Sequence, residues 1–177
     1  GLHIPKRLQK TLRQMPFRIT ADEAFDTVID ACARTHAGTK RDKTWINKGI
    51  RDAFVALHEQ GHAHSIECWR GKNFVGGIYG LKIGSVFCGE SMVSLLTDAS
   101  KIALVHMAAR LWKGGFTLFD AQFTNTHLEQ FGIYEITQNA YEKKIRDYMN
   151  KPAPWTGTLT PTQEKLLLED YLNNKSL

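Results

Sequence analysis

The chain has 177 residues, 42% of them hydrophobic and 23% charged, the composition of an ordinary globular domain long enough to bury a core without staples. It has no apolar run of the roughly 18 residues a membrane-spanning helix needs. Its opening residues, GLHIPKRLQK, lack the apolar core of a secretory leader, and Cys32, Cys68 and Cys88 are an odd number without C-x-x-C spacing. These features argue against a membrane partner, a disulfide framework and a zinc ribbon, and a reducing, cytoplasmic setting is expected. The net charge of +5 is unevenly placed: residues 1–51 carry 11 Lys or Arg against 5 Asp or Glu, and the remainder 12 against 13. Such an excess in the first third is either a solvated basic surface or the electrostatic footprint of a polyanion binder, nucleic acid first.

Along the chain, PKRLQKTLRQ (5–14) opens with a proline suited to a first helical turn, pairs Leu8 with Leu12 and has four cations without acidic neighbours. FRIT (17–20) alternates like a short strand. TADE (20–23) has the form of a capping box, ahead of a helix with Phe25, Val28, Ile29 and Cys32 on one face. A basic loop, RTHAGTKRDKT (34–44), precedes a helix that Asn47 caps and Gly61 ends. AHSIECW (63–69), FVGGIYGLKIG (74–84) and SVFCGESM (85–92) read as antiparallel strands, with Gly76, Gly77 and Gly80 marking bulges or close approaches. DASKIALVHMAARLWKGG (98–115) is an amphipathic helix closed by Gly114, and FTLFDAQ (116–122) an apolar strand. A short helix over 126–132, a strand IYEIT (133–137), a helix over 139–150 and a last helix at about 162–173 follow. The order predicts an α+β or α/β layered fold. Its main body is 1–150, including the basic N-terminal helices, and 151–177 forms a C-terminal extension.

Three stretches could carry chemistry. Glu90, in FCGESM (87–92), places a carboxylate after apolar chain at an expected strand end; it is either solvated or part of a cleft wall that holds a cation. In DAQ (120–122), i and i+2 spacing on a strand would project Asp120 and Gln122 together. The carboxylate could orient an amide whose carbonyl accepts a hydrogen bond from an attacking amine. HEQGHAHSIE (58–67) holds three histidines, but without the H-E-x-x-H spacing. The expected state is one histidine on backbone, the others exposed and no metal. There is no G-x-S-x-G elbow and no Walker motif.

The blocks TWI (44–46), LHEQGHAHSIECW (57–69), VGGIYG (75–80), FCGESM (87–92), DASKIAL (98–104), FDAQ (119–122) and HL (127–128) occur in one order. On these blocks, across residues 2–147, the chain resembles the leucyl/phenylalanyl-tRNA–protein transferase family. The resemblance implies a GNAT-like acyltransferase fold, with a mixed central sheet flanked by helices. It also implies transfer of Leu, Phe or Met from aminoacyl-tRNA to an N-terminal Arg or Lys of an acceptor protein, marking it for degradation without cofactor or metal. Asp120 and Gln122 fall on the family's catalytic pair and Glu90 on its acidic residue near the acceptor. Trp45 matches the aromatic that contacts the tRNA's 3′-terminal adenosine; Ile78, Phe87 and Met92 match the pocket for the amino-acid side chain. Lys6, Arg7, Lys10, Arg13, Lys40, Arg41 and Lys43 are the candidates for tRNA phosphates, and a monomer is expected. The sequence departs from the family in beginning at Gly1, after its WWSPDPR-type block, which points to a truncated chain or a short branch. It departs also at Ala121 within DAQ, at Val93 and at Phe54. Two other readings stay open. One is an acetyl-CoA-dependent N-acetyltransferase, although SLLTDASK offers no glycine for a pyrophosphate cradle. The other is a non-catalytic RNA-binding module.

Overall fold

The computed structural model describes residues 1–36, 45–122 and 126–174. Its elements are α1 (Lys6–Arg13), β1 (Arg18–Ala21), α2 (Phe25–His36), α3 (Lys48–Glu59), β2 (Ala63–Arg70), β3 (Asn73–Ile83), β4 (Val86–Ser94), α4 (Ala99–Lys113), β5 (Leu118–Asp120), α5 (Thr126–Glu129), α6 (Gln138–Tyr148) and α7 (Pro161–Asn174). One sheet runs β1-β2-β3-β4-β5. The first four strands are antiparallel neighbours, and β5 lies parallel to β4 after the crossover through α4. The fold is therefore α+β, a mixed central sheet flanked by helices, as the sequence predicts.

Period-2 alternation divides the side chains between two cores. Ile66, Cys68, Ile78 and Phe87 join Leu8 and Leu12 of α1, most of α4, and Leu167, Leu168 and Tyr171 of α7 in one cluster. Tyr79 and Val93 pack with Phe25, Val28, Ile29 and Cys32 of α2 and with Ile50 and Phe54 of α3 in the other. Two glycines let these layers close. A Cβ on Gly76 would stand 2.6 Å from that of Ala99, so α4 docks on the sheet only over a bare backbone. A Cβ on Gly80 would stand 2.5 Å from the Phe87 ring, which occupies the place over that strand.

The helix at 99–113 is amphipathic in sequence but buried nearly all round, because the sheet lies beneath it and α7 above. Its polar residues then need a partner, and α7 supplies one. Glu164 accepts from both terminal nitrogens of Arg110, at 2.9 and 2.6 Å, and lies 2.6 Å from His106 Nδ1, all three side chains being essentially inaccessible. Asn47 caps α3 by accepting from the Ile50 N–H, and Gly61 follows it with φ 76°.

Three local expectations give way to tertiary partners. Thr20 does not cap α2; it lies in β1, where its hydroxyl donates to the buried Glu67 and accepts from the Trp69 indole at 2.8 Å. The stretch 133–137 alternates in sequence but is not a strand: among the described residues β5 bonds only to β4, and the sheet ends there. The expected seven-residue strand at 116–122 shortens to β5, three residues long. Among the described residues no helix is long and apolar enough to cross a membrane.

The buried triad makes a stability prediction. Burial alone would raise the Glu164 pKa, but the bonds from His106 and Arg110 outweigh it and hold the carboxyl at about 2. A depressed folded-state pKa means stability that is present above the ordinary value near 4.5 and lost as pH falls toward 2. Glu164→Ala, which strands Arg110 without its partner, should cost about 3–5 kcal/mol in chemical denaturation at pH 7. The stability gap between wild type and Glu164→Gln should narrow across that acid window.

Candidate active site

The site lies where β4 and β5 part. Their parallel pairing runs only from Val86 opposite Leu118 to Cys88 opposite Asp120. Immediately beyond, β4 bulges: on β3, Tyr79 faces Ser91 and Gly80 faces Gly89, so Glu90 is the extra, unpaired residue. Glu90 is therefore inside a strand, not at the end of one. The extra residue also changes the alternation. Phe87 and Met92, five apart, both face the α4 core, with Phe119 of β5 beside them. Cys88 and Asp120 point from the opposite face.

Gln122 stands just past β5 with φ 62°, a left-handed conformation that a side-chain-bearing residue rarely takes. Asp120 holds that turn: its Oδ1 accepts the Gln122 backbone N–H at 2.7 Å. The pair thus meets through a turn rather than along a strand, and Asp120 acts on the backbone of Gln122, not on its amide. The amide Nε2 lies 3.4 Å from the Gly89 carbonyl and the side chain also bonds Glu90, so its donor side is turned toward β4. Among the described residues its carbonyl oxygen has no hydrogen-bond donor, which leaves it for one that arrives from outside.

Asp120 has a second partner that no sequence motif marks. Tyr141, in the first turn of α6, donates its phenol to Asp120 Oδ2 at 2.8 Å. Burial, then the bond to Asp120, pushes the Tyr141 pKa upward, so the phenol stays a donor. Burial likewise raises Glu90 above the usual carboxylate range; the bond from Gln122 opposes this and the charge of Asp120 adds to it. Burial, with Asp120 and Glu90, pushes the Cys88 thiol to about 12, which keeps it from serving as a nucleophile.

A cleft of about 950 Å³ opens beside this network. Leu111, Trp112, Phe116, Phe119 and Ile133 give it an apolar wall, and Asp120, Gln122 and Tyr141 a polar rim. Ile78 and Phe87 are buried and Met92 packs on the same cluster; Phe87 meets the cleft-lining Phe119 edge-on at 5.8 Å. The structure thus brings Glu90, Asp120 and Gln122 together and puts the three apolar candidates in the α4 core, Phe87 directly behind the cleft wall. Trp45 is exposed ahead of α3. Lys6, Arg7, Lys10 and Arg13 are exposed on α1, and none forms an ion pair among the described residues. Lys40, Arg41 and Lys43 lie outside the described residues. The histidines are engaged separately. His58 bonds the Ala63 carbonyl and stacks on Phe25. His64, expected exposed, is buried between Asp22 and Trp155 because the chain after α6 folds over it.

The family model described as leucyl/phenylalanyl-tRNA protein transferase matches residues 1–146. A protein of that name from Hyphomonas neptunium is 50% identical over 157 residues, which are 89% of this chain and 60% of the relative. One from Phenylobacterium zucineum is 50% identical over 166 residues, 93% of this chain and 74% of the relative. The chain belongs to the leucyl/phenylalanyl-tRNA protein transferase family. It spans about 60–74% of the length of these curated relatives. Among solved structures, a probable acetyltransferase superposes with a TM-score of 0.49 at 10% identity, over 71% of this chain and 87% of that one.

The left-handed turn can be tested apart from any reaction. Gln122→Gly should leave stability within about 0.5 kcal/mol of wild type, because glycine takes φ 62° without strain. Gln122→Val should lose about 1–3 kcal/mol, since a β-branched side chain does not. Urea denaturation of the two variants decides it.

Proposed function

We propose that this chain transfers Leu, Phe or Met from aminoacyl-tRNA to the N-terminal Arg or Lys of acceptor proteins, marking them for degradation. One observation carries the reading: Glu90, Asp120 and Gln122, 30 or more residues apart in two groups, converge at a strand gap between an apolar cleft and a carboxylate face. An apolar aminoacyl side chain suits the cleft wall, and the cationic acceptor terminus suits the carboxylates.

In this reaction the acceptor's α-amine, as the free base, attacks the carbonyl carbon of the aminoacyl ester. A C–N bond forms and the C–O bond to the tRNA's terminal ribose breaks. The nitrogen gives up one proton and the ribose oxygen takes one, so nothing is oxidised or reduced. The ester is already activated, and positioning with proton handling suffices. The free carbonyl oxygen of Gln122 accepts from the amine and aims its lone pair. Glu90 and Asp120 draw in the acceptor's positive charge. Exposed Trp45 stacks on the terminal adenosine, and the cations of α1, with Lys40, Arg41 and Lys43, take up phosphates. Ile78, Phe87 and Met92 set pocket depth by backing the cleft wall. The same reading takes the protein as a cytoplasmic monomer, to which the buried thiols of Cys32 and Cys68 are suited.

An acetyl-CoA-dependent reading is less well supported. The N-terminus of α4, where a pyrophosphate would sit, carries Asp98, paired to Lys101 at 2.8 Å, and its Ser100 N–H is already taken by Ser94 Oγ. A non-catalytic RNA-binding module would keep α1 but would not need a strained Gln122 beside two carboxylates.

The test is transfer of labelled Leu or Phe from charged tRNA to an Arg-starting peptide. Gln122→Ala should lower the rate on the order of ten- to a thousandfold while charged-tRNA binding stays nearly intact. Glu90→Gln should chiefly raise the KM for the peptide. Full activity in both would sink the mechanism. Separately, removing Lys6, Arg7, Lys10 and Arg13 together should flatten the salt dependence of tRNA binding by roughly one log–log unit for each phosphate no longer neutralised. An unchanged slope would place the footprint elsewhere.

A further inference from the structure

We infer that Tyr141 is a positioning residue for the transfer reaction, acting through Asp120 on the turn that presents Gln122; this rests on the function proposed above. Asp120 has two oxygens, and each is committed to a different element. Oδ1 accepts the Gln122 N–H at 2.7 Å, and Oδ2 accepts the Tyr141 phenol at 2.8 Å. The carboxylate is thus a clamp between α6 and the end of β5. Released from Tyr141, it can rotate about its Cα–Cβ and Cβ–Cγ bonds and leave the N–H. That bond is what holds Gln122 at φ 62° after the strand has ended.

Among the described residues, the backbone around Gln122 has few other partners. β5 pairs only as far as Asp120, and the β4 bulge removes the next ladder partner. The side chain reaches β4 through a long 3.4 Å contact to the Gly89 carbonyl and a bond to Glu90, and the residue is exposed. A shift of about 1 Å in a positioning group can change a rate about a hundredfold. Tyr141 is therefore placed to affect the rate of C–N bond formation through Asp120, and Tyr141→Phe leaves in place both the charge of Asp120 that draws in the acceptor and the ring that lines the cleft. It also lines the cleft beside Asp120 and Gln122, so its ring packs where the reacting groups meet.

The plain structural alternative is that the phenol merely docks α6. A control separates the two. At the far end of the same helix, Ser85 Oγ donates to the Tyr148 carbonyl at 3.1 Å and also meets Thr117 Oγ1 at 2.8 Å, three residues before Asp120. Ser85→Ala loosens α6 and the start of β5 but leaves both hydrogen bonds of Asp120 in place.

The experiment is steady-state transfer from charged tRNA to an Arg-starting peptide by the 177-residue chain, with thermal melts of each variant. Tyr141→Phe keeps the ring and removes one hydrogen bond. Its kcat should fall about ten- to a hundredfold, with KM for charged tRNA and for peptide within about twofold of wild type. Ser85→Ala should lose at least as much thermal stability and keep its kcat. In an Asp120→Ala background, Tyr141→Phe should lower the rate no further, because the phenol then has nothing to position. Wild-type kcat in Tyr141→Phe overturns the inference. So do equal kcat losses in Tyr141→Phe and Ser85→Ala, or a full further loss in the Asp120→Ala background. A wild-type chain that transfers nothing overturns the proposed function itself, and this inference with it.

Discussion

One extra residue in β4 organises the molecule's chemistry. Without the bulge at Glu90, strict alternation would put Phe87 and Met92 on opposite faces, and one of them would point at the carboxylates. With it, the α4 face stays apolar from Phe87 through Met92, while Glu90 is re-aimed toward Asp120. The same irregularity ends the pairing of β4 with β5 after three rungs, so the sheet opens at that point rather than running on. The transfer proposed above, which sets an apolar side chain beside a cation, would use both effects, and a single insertion supplies them.

The electrostatics of that gap are unfinished as the chain stands. Glu90 and Asp120 repel one another, and burial penalises the charge on Glu90, so its ionised form is disfavoured. A cation that arrives between them relieves both penalties, and by linkage its binding must pull the Glu90 pKa back down. In the proposed reaction the arriving ammonium has to lose a proton before it can attack. Ionised Glu90 and a seated ammonium stabilise each other's charge, so the pairing favours capture of the acceptor, and loss of the amine's proton is a separate step of the proposed reaction. Tyr141 stands outside this pairing: its phenol is held as a donor and fixes Asp120 in place.

What the sequence discloses and what it hides follow one physical line. Features set by neighbours in the chain are legible: the Asn47 cap, the Leu8–Leu12 spacing of α1, the alternation of β2 to β4 and the glycines under α4. Features set by partners far along the chain are not. IYEIT alternates as a strand should, but among the described residues no strand lies beside it to bond with. FDAQ looks like an extended pair, yet the missing partner is removed by a bulge thirty residues earlier, so Gln122 turns instead. Thr20 has a capping box around it and instead donates to a carboxylate on β2. Asp120, Gln122 and Glu90 stand out only weakly as polar groups after apolar chain, and it is the family resemblance that ties them to one site. Tyr141 does not stand out, since a tyrosine in a polar helix is unremarkable until its partner across the gap is known.

The segment beyond the family match shows how a core can depend on residues outside the recognisable blocks. The match ends at residue 146, but the face behind the cleft does not close there. Trp155 lies parallel to both His64 and Phe87, at 4.4 and 6.1 Å, over the strand that Gly80 leaves bare, and its indole donates to Asp22 at 2.7 Å. Phe87 in turn backs Phe119, which lines the cleft. Farther on, Glu164 gives Arg110 its countercharge and His106 Nδ1 its partner, without which α4 would bury a guanidinium held only by the Thr156 and His106 carbonyls. The wall of the cleft is thus three layers deep: Phe119, then Phe87, then Trp155. Substitutions in the outermost layer reach the cleft only through shifts in packed rings. Packed interiors transmit such shifts rather than absorb them, so the shape of the cleft depends on a tryptophan that never touches it.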